Sequence, residues 1–165
     1  MKEIYVKCAY KHCQHESQML PRAEAVKVGN RYFHKDCAET QEYIQKARNE
    51  YLERINSTEV VSVLVNVINT MVFKKNIPAD YVWFTVHDCA ENPRKSHIRH
   101  AQGLYYAINF EWVKKDYKKW YDTKLRREQM AEAAKAEEAA TDKDGADFKY
   151  TAPQGVGHFS NIFGG

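Results

Sequence analysis

Hydrophobic and polar residues alternate along part of the first forty residues of the chain. In the stretch "AEAVKVGNRYF", residues 23–33, this alternation predicts a short β-hairpin whose turn is Gly29-Asn30, because glycine and asparagine are favoured in tight hairpin turns. From Cys37 onwards, apolar residues return at a helical spacing with charged residues between them. This second pattern predicts one helix that runs to about residue 55.

A nearly continuous apolar run, "TEVVSVLVNVINTMVF", covers residues 58–73. Its composition favours a strand, but its polar residues recur at steps of three and four, and burial can override the weak helix propensity of β-branched residues. The run therefore predicts a mostly buried helix. A second, short buried helix is predicted after Pro78, and residues 98–125 predict an amphipathic helix rich in aromatic residues.

The composition changes at about Arg126 to a segment rich in alanine, glutamate and lysine. This segment lacks a wide apolar stripe, so we expect a frayed helix that passes into a flexible linker. Phe159, Ile162 and Phe163 then precede a Gly-Gly end. An apolar cluster beyond a linker suits a partner-binding peptide that docks in a groove, and an idle terminus is an equal alternative.

Composition and charge limit the class of protein. Of the 165 residues, 44% are hydrophobic and 13% aromatic, which is enough for a small stapled module and a modest helical domain. A net charge of +3 argues against a protein wholly devoted to wrapping nucleic acid. No apolar run is long enough to cross a bilayer and the start lacks a signal-peptide pattern, so we expect a cytoplasmic protein with reduced thiols and no membrane partner.

The cysteines indicate a metal site near the start of the chain. Cys8 and Cys13 have four residues between them, twenty residues then precede His34, and two more precede Cys37. Two pairs of thiol and imidazole ligands from separate segments match the needs of a tetrahedral structural zinc ion. His12 or His15 could replace one of these ligands. A catalytic zinc fits less well, because such sites usually keep an open position.

A knuckle, a hairpin and a helix carrying the last ligand define a treble-clef module, and "VGNRYFHKDC" resembles the second-ligand segment of LIM-like and related treble-clef zinc fingers. The resemblance covers about residues 5–40 and implies a single zinc-binding half. The first ligand pair departs from that pattern, since such fingers usually have two residues between these cysteines. We therefore expect an α+β fold with three parts: a treble-clef-like zinc module at 1–55, a small helical domain at 56–125, and a charged helical or disordered tail at 126–165.

Little in the sequence favours an enzyme. His87 and Cys89 could form a nucleophilic pair, but residues two apart on a helix point in different directions, so Cys89 is expected in the core. A treble-clef nuclease is disfavoured because the helix offers Asp36, Glu39 and Glu42 where such an enzyme needs histidine or asparagine.

Two binding functions remain. The first is an adaptor or inhibitor that grips a cytoplasmic protein, for which near-zero net charge and the apolar C-terminal tip argue. The second is a nucleic-acid-binding accessory protein of replication or transcription that uses the basic 94–127 region. The candidate phosphate contacts there are Arg94, Lys95, Arg99, Lys114, Lys115, Lys118 and Lys119. The architecture is similar to that of many small bacteriophage or Gram-positive accessory proteins, which implies action on host machinery.

Overall fold

A computed structural model describes the backbone of residues 3–144 and the side chains of residues 3–139. It confirms the predicted α+β class, with two small hairpins followed by a mainly helical region. The strands are β1 (Tyr5–Lys7), β2 (Met19–Pro21), β3 (Val26–Val28) and β4 (Arg31–Phe33). The helices are α1 (Lys35–Arg54), α2 (Val61–Asn69), a π-helical segment (Thr70–Lys74), α3 (Ala79–Glu91), α4 (Pro93–Ser96), a 3-10 turn (Ala101–Gly103), α5 (Leu104–Ala107) and α6 (Glu111–Asp144).

The two hairpins are each antiparallel, and only the second was predicted. In this second hairpin, β3 pairs with β4 in a register that sets Val28 opposite Arg31 and leaves Gly29 and Asn30 as a two-residue turn. Gly29 has a φ of 60°, a left-handed conformation that glycine adopts without steric cost. In the first hairpin, β1 pairs with β2 so that Val6 lies opposite Leu20.

The main hydrophobic core lies among the helices. Its fully buried side chains include Tyr51 of α1, Ile68 of α2, Met71 of the π-helical segment, Val86 of α3 and Leu104 of α5. The run at 58–73 is helical from Val61 onwards, as its polar spacing predicted, but the helix becomes π-helical at Thr70, and only Leu64, Val67, Ile68 and Met71 of the run are buried. A second cluster packs α3 against the start of α6 through Phe84, Cys89 and Val113.

The predicted helix over residues 98–125 is broken in the structure. Leu104–Ala107 form the short helix α5, and α6 starts only at Glu111. The carbonyl of Ile108 accepts a hydrogen bond from the Tyr81 hydroxyl, while the amides of Asn109 and Phe110 bond three residues back. A carbonyl diverted to a side chain and a tightened last turn are typical ways to end a helix.

The chain forms two compact units, and the boundary between them lies inside α6, between Tyr121 and Asp122. The first unit holds both hairpins and the helical core. In the second unit, none of residues 122–139 is buried. Across the part of the chain that is described, no helix is both long and apolar enough to span a membrane.

Candidate metal centre

The four predicted ligands come together at one point. Cys8 follows β1, Cys13 ends the tight turn that we call the knuckle (residues 8–13), His34 follows β4, and Cys37 lies in the first turn of α1. Their ligand atoms all lie within 4.8 Å of one another, so these residues could hold a metal ion. The group is called the four-ligand cluster below.

Backbone hydrogen bonds fix the two ligand pairs relative to each other. The amide of Ala9 donates to the carbonyl of Tyr32 over 2.8 Å, and Cys8 forms an isolated parallel bridge with Tyr32. The first hairpin is thereby joined to β4, directly before His34. Within the knuckle, the amide of Cys13 donates to the carbonyl of Tyr10 over 3.2 Å and closes the turn.

The spacing of the donor atoms suits tetrahedral coordination. The Nδ1 atom of His34 lies 3.5 Å from the Cys13 sulfur and 4.0 Å from the Cys37 sulfur. Zn–S bonds of about 2.3 Å and Zn–N bonds of about 2.0–2.1 Å place neighbouring tetrahedral ligands about 3.5–3.8 Å apart. The cluster is therefore compatible with a zinc finger, in which protein side chains would supply all four coordination positions.

Burial and neighbouring groups raise the pKa values of two side chains at the cluster. Burial raises the pKa of the Cys37 thiol, and contact with Cys13 and the negative charge of Asp36 raise it further. Burial also raises the pKa of the Tyr10 hydroxyl, with the neighbouring Cys37 and Cys8 adding to the effect. The Cys37 thiol therefore resists ionisation unless a positive charge lies beside it, and a bound metal ion would displace its proton and offset the repulsion.

His15 and Asp36 form a hydrogen-bonded pair beside the four-ligand cluster. This pair was not predicted. The Nε2 atom of His15 lies 2.8 Å and 2.9 Å from the two carboxylate oxygens of Asp36, and its ring stacks on that of His34 at 3.8 Å. Partial burial opposes ionisation of Asp36, but the bond to His15 and those from backbone amides lower its pKa overall. Such outer contacts fix the orientation of a ligand ring.

Of the two alternative ligands, His12 lies apart from the possible metal ligands and His15 lies beside Cys37. His12 stacks on Phe73 with ring centroids 4.0 Å apart. It belongs to neither of the two groups of side chains that could hold a metal ion. His15 belongs to a second group with Asp36 and Cys37, which shares Cys37 with the four-ligand cluster.

His87 and Cys89 do not form a pair. The Nδ1 atom of His87 lies 2.7 Å from the Glu50 carboxylate on α1. Cys89 is 1% exposed, and burial raises the pKa of its thiol to about 12. Its place in the core agrees with the prediction from helical direction.

The predicted basic residues lie along α4, the loop after it and the first turns of α6. Lys114 and Lys119 pair with Glu111 and Asp116 over 2.9 Å and 3.3 Å, and the Lys95 ammonium lies 5.9 Å from the centre of the Trp112 ring. All four predicted lysines on α6 are exposed: Lys114, Lys115, Lys118 and Lys119. The predicted partner-binding residues Phe159, Ile162 and Phe163 lie outside the described residues.

Comparison with known proteins found no relative of this chain. No protein-family profile matches the chain, and neither the curated proteins nor the solved structures contain a significant match.

Proposed function

We propose that this protein is a non-catalytic, zinc-stabilised adaptor or inhibitor that binds a cytoplasmic protein partner. The closed Cys3His set supports a structural zinc ion, because catalytic zinc keeps a position for water or substrate. The hairpin and helix around the cluster support a treble-clef, LIM-like module. The architectural resemblance to bacteriophage accessory proteins makes a component of host machinery the class of partner that we favour.

The observation that carries this proposal is an apolar surface on the first hairpin. Tyr5 and Met19 are 52% and 48% exposed, and both project to the side opposite the inward-facing Val6 and Leu20. Lys7 and Pro21 complete this surface, which we call the outer face. Tyrosine and methionine are enriched in protein interfaces, where they act as anchors in partner pockets. Lys7 would favour a partner whose pocket has an acidic rim.

The free edge of β2 favours recognition through side chains over strand addition. The Ser17 hydroxyl donates to the carbonyl of Met19 over 2.9 Å and accepts from its amide over 3.1 Å. Pro21, the next residue in the alternation, has no amide hydrogen to offer. A blocked edge of this kind protects against strand pairing. The partner would therefore bind the outer face and leave the backbone edge unused.

A capture experiment with matched variants tests the proposal. Zinc-loaded full-length protein is immobilised and exposed to nuclease-treated cytoplasmic lysate, and the captured proteins are compared with those retained by Tyr5→Ala/Met19→Ala. The control variant, Tyr106→Ala/Met130→Ala, removes the same residue types from positions that are each 73% exposed elsewhere. We expect one protein to be lost with the first variant and kept with the control; equal capture by both would reject the outer face.

The predicted C-terminal docking peptide needs a separate arm of this experiment. A chain that ends at about residue 150 lacks Phe159, Ile162 and Phe163 but keeps the outer face. Loss of the same partner from this shortened chain would show that both segments contribute to one interface. If the shortened chain still captures the partner, the outer face is sufficient for binding and the C-terminal tip has no docking role.

A second candidate function, nucleic-acid binding, is favoured by the lysines of α6. Lys114, Lys115, Lys118 and Lys119 share the exposed side of the helix, and Lys95 lies beside Trp112 at its start. Two of these lysines are paired with acids, which reduces the charge available for phosphates. Binding by this surface should weaken steeply with salt. Capture that disappears after nuclease treatment, and with Lys115→Gln/Lys118→Gln, would favour this second function.

A further inference from the structure

A cleft of about 340 Å³ lies between the knuckle and the helices α1 and α2. Its wall includes three cationic residues, Lys11, Arg31 and Arg48, together with two glutamines and one asparagine. None of the described residues that line it is acidic. We call this site the basic cleft. It lies outside the four-ligand cluster, the outer face and the lysines of α6.

The cations of the basic cleft have no carboxylate partner among the described residues, whereas some other cations of the first unit do. Lys46, Arg54 and Lys114 each pair with a carboxylate. Within the described part of the chain, by contrast, neither Lys11 nor Arg31 has an ion pair. The Arg48 guanidinium donates from Nε and Nη2 to the neutral side-chain oxygen of Asn49, over 3.2 Å and 3.0 Å. Three positive charges around one concave surface without a carboxylate concentrate positive potential there.

An aromatic pair forms another part of the same wall. His12, on the knuckle, stacks on Phe73 of the π-helical segment with an interplanar angle of 17°. His12 is exposed, and Tyr10 contacts its ring in a T-shaped arrangement with centroids 6.1 Å apart, so part of the imidazole faces solvent. An exposed aromatic face is the surface on which a nucleobase stacks, and the neighbouring cations are suited to a phosphate. The volume lies at the lower end of the range for small-molecule sites, about 300–1,000 Å³.

We infer that the basic cleft binds a nucleotide, with its phosphate among Lys11, Arg31 and Arg48 and its base against His12. The nucleotide could be free or could be one unit of a nucleic-acid strand, since both offer the same phosphate and base. This inference does not rest on the proposed adaptor function, because the cleft and the outer face share no residue.

The test is an NMR titration of the zinc-loaded full-length protein, observed through its backbone amides. The ligand is adenosine 5′-monophosphate, with adenosine and inorganic phosphate as separate arms and a short 5′-phosphorylated single-stranded oligonucleotide as a fourth. The variants are Arg48→Gln and Arg31→Gln. The control is Lys46→Gln, which removes one positive charge from the exposed side of the same helix as Arg48, where Lys46 pairs with Glu42. Lys11→Gln, at an exposed position, provides a third test if either arginine variant fails to fold.

We expect saturable shifts at the amides of Lys11, His12 and Arg31 with the nucleotide, and weaker binding of both adenosine and phosphate. Loss of one charged hydrogen-bond donor should weaken nucleotide binding by about tenfold, while Lys46→Gln should change it by less than about twofold. Tighter binding of the oligonucleotide at the same amides would identify a strand as the source of the nucleotide, and equal or weaker binding a free nucleotide. The inference is overturned if adenosine binds as well as its monophosphate, if phosphate alone binds as well, or if the arginine variants bind like the wild type.

Discussion

Replacing Cys37 by serine should cost the N-terminal module its folded state. Cys37 is the ligand that joins the module to α1, and it is 4% exposed. Serine lacks the soft thiolate that zinc prefers, so Cys37→Ser leaves three protein ligands. Since metal binding by a small module of this kind is also its folding free energy, loss of affinity becomes loss of structure.

The size of the effect follows from how little else holds the module together. Apart from the ligands, the buried side chains of its hairpins and knuckle are Tyr10, Leu20 and Phe33, which are 8%, 5% and 8% exposed; the buried Ala47 and Tyr51 of α1 belong to the helical core. Burial of such side chains contributes about 1.5–3 kcal/mol each, or roughly 5–9 kcal/mol for the three. Structural zinc in finger peptides contributes about 10–16 kcal/mol. The metal is therefore expected to be the largest stabilising contribution in this part of the chain.

Two independent signals can separate the module from the helical core. All three tryptophans of the chain, Trp83, Trp112 and Trp120, belong to α3 and α6, so their fluorescence reports only on the helices. The module contains no tryptophan, and its hairpins are observed through the dispersion of their amide resonances. After Cys37→Ser, or after a strong chelator is added to the wild type, we expect the hairpin resonances to collapse while much of the tryptophan signal remains.

Zinc content and a matched thiol variant complete the assay. Cys89→Ala removes a buried cysteine that lies outside the four-ligand cluster, so it should lower stability by loss of packing and retain zinc. Zinc released on denaturation is measured for both variants. A structural role for the cluster is refuted if Cys37→Ser still binds zinc as the wild type does and keeps dispersed hairpin resonances, or if Cys89→Ala loses the metal as well.

Two predictions concern buried polar groups. The Tyr10 hydroxyl is buried with no hydrogen-bond partner among the described residues, whereas the Tyr51 hydroxyl donates to Glu59 over 3.2 Å. Tyr10→Phe should therefore leave the free energy of unfolding unchanged or raise it by up to about 1 kcal/mol. Tyr51→Phe should lower it by about 1 kcal/mol, because a hydrogen bond is lost. Both values are measured by urea denaturation, and a larger loss for Tyr10→Phe than for Tyr51→Phe would contradict the prediction. Burial raises the pKa of the Asp88 carboxyl above its usual 3.8, so this group ionises at a lower pH in the unfolded chain than in the folded protein. The free energy of unfolding therefore falls as the pH rises from 3.8 to the pKa of the folded state. Asp88→Asn should raise the denaturation midpoint at neutral pH but not below pH 3.8, and a gain of equal size at both pH values would show another cause.

The candidate ligands and most helices could be predicted because their signals are local. Zinc ligands come in short-range pairs, each on a turn or a helix start, so spacing alone suggested that Cys8 and Cys13 would meet His34 and Cys37. The structure brings these four together. For the apolar run at 58–73, polar residues at helical spacing identified the exposed side even though the composition favoured a strand.

The first hairpin and the basic cleft could not be predicted in the same way. Strands β1 and β2 have three residues each, and eleven residues, including both cysteines of the knuckle, separate them. Such short strands carry almost no alternation, and the bridge from Cys8 to Tyr32 that follows β1 is a long-range contact. The basic cleft needs Lys11, Arg31 and Arg48, which come from the knuckle, β4 and α1. Their convergence is a tertiary property that no spacing in the sequence encodes.

The π-helical segment is the clearest case in which regular periodicity misleads. Phe73 lies nine residues after the buried Leu64, so a regular α-helix would turn it roughly half a revolution away from the core-facing side. Between Thr70 and Lys74 the turn is wider, with the amide of Lys75 bonding to the carbonyl of Thr70 over 3.0 Å. A wider turn rotates less per residue than a regular α-helix. Phe73, inside this turn, contacts His12 and Tyr10, with ring centroids 4.0 Å and 6.1 Å away. One irregular turn thus joins the helical core to the module that carries the metal ligands and forms the aromatic wall of the basic cleft.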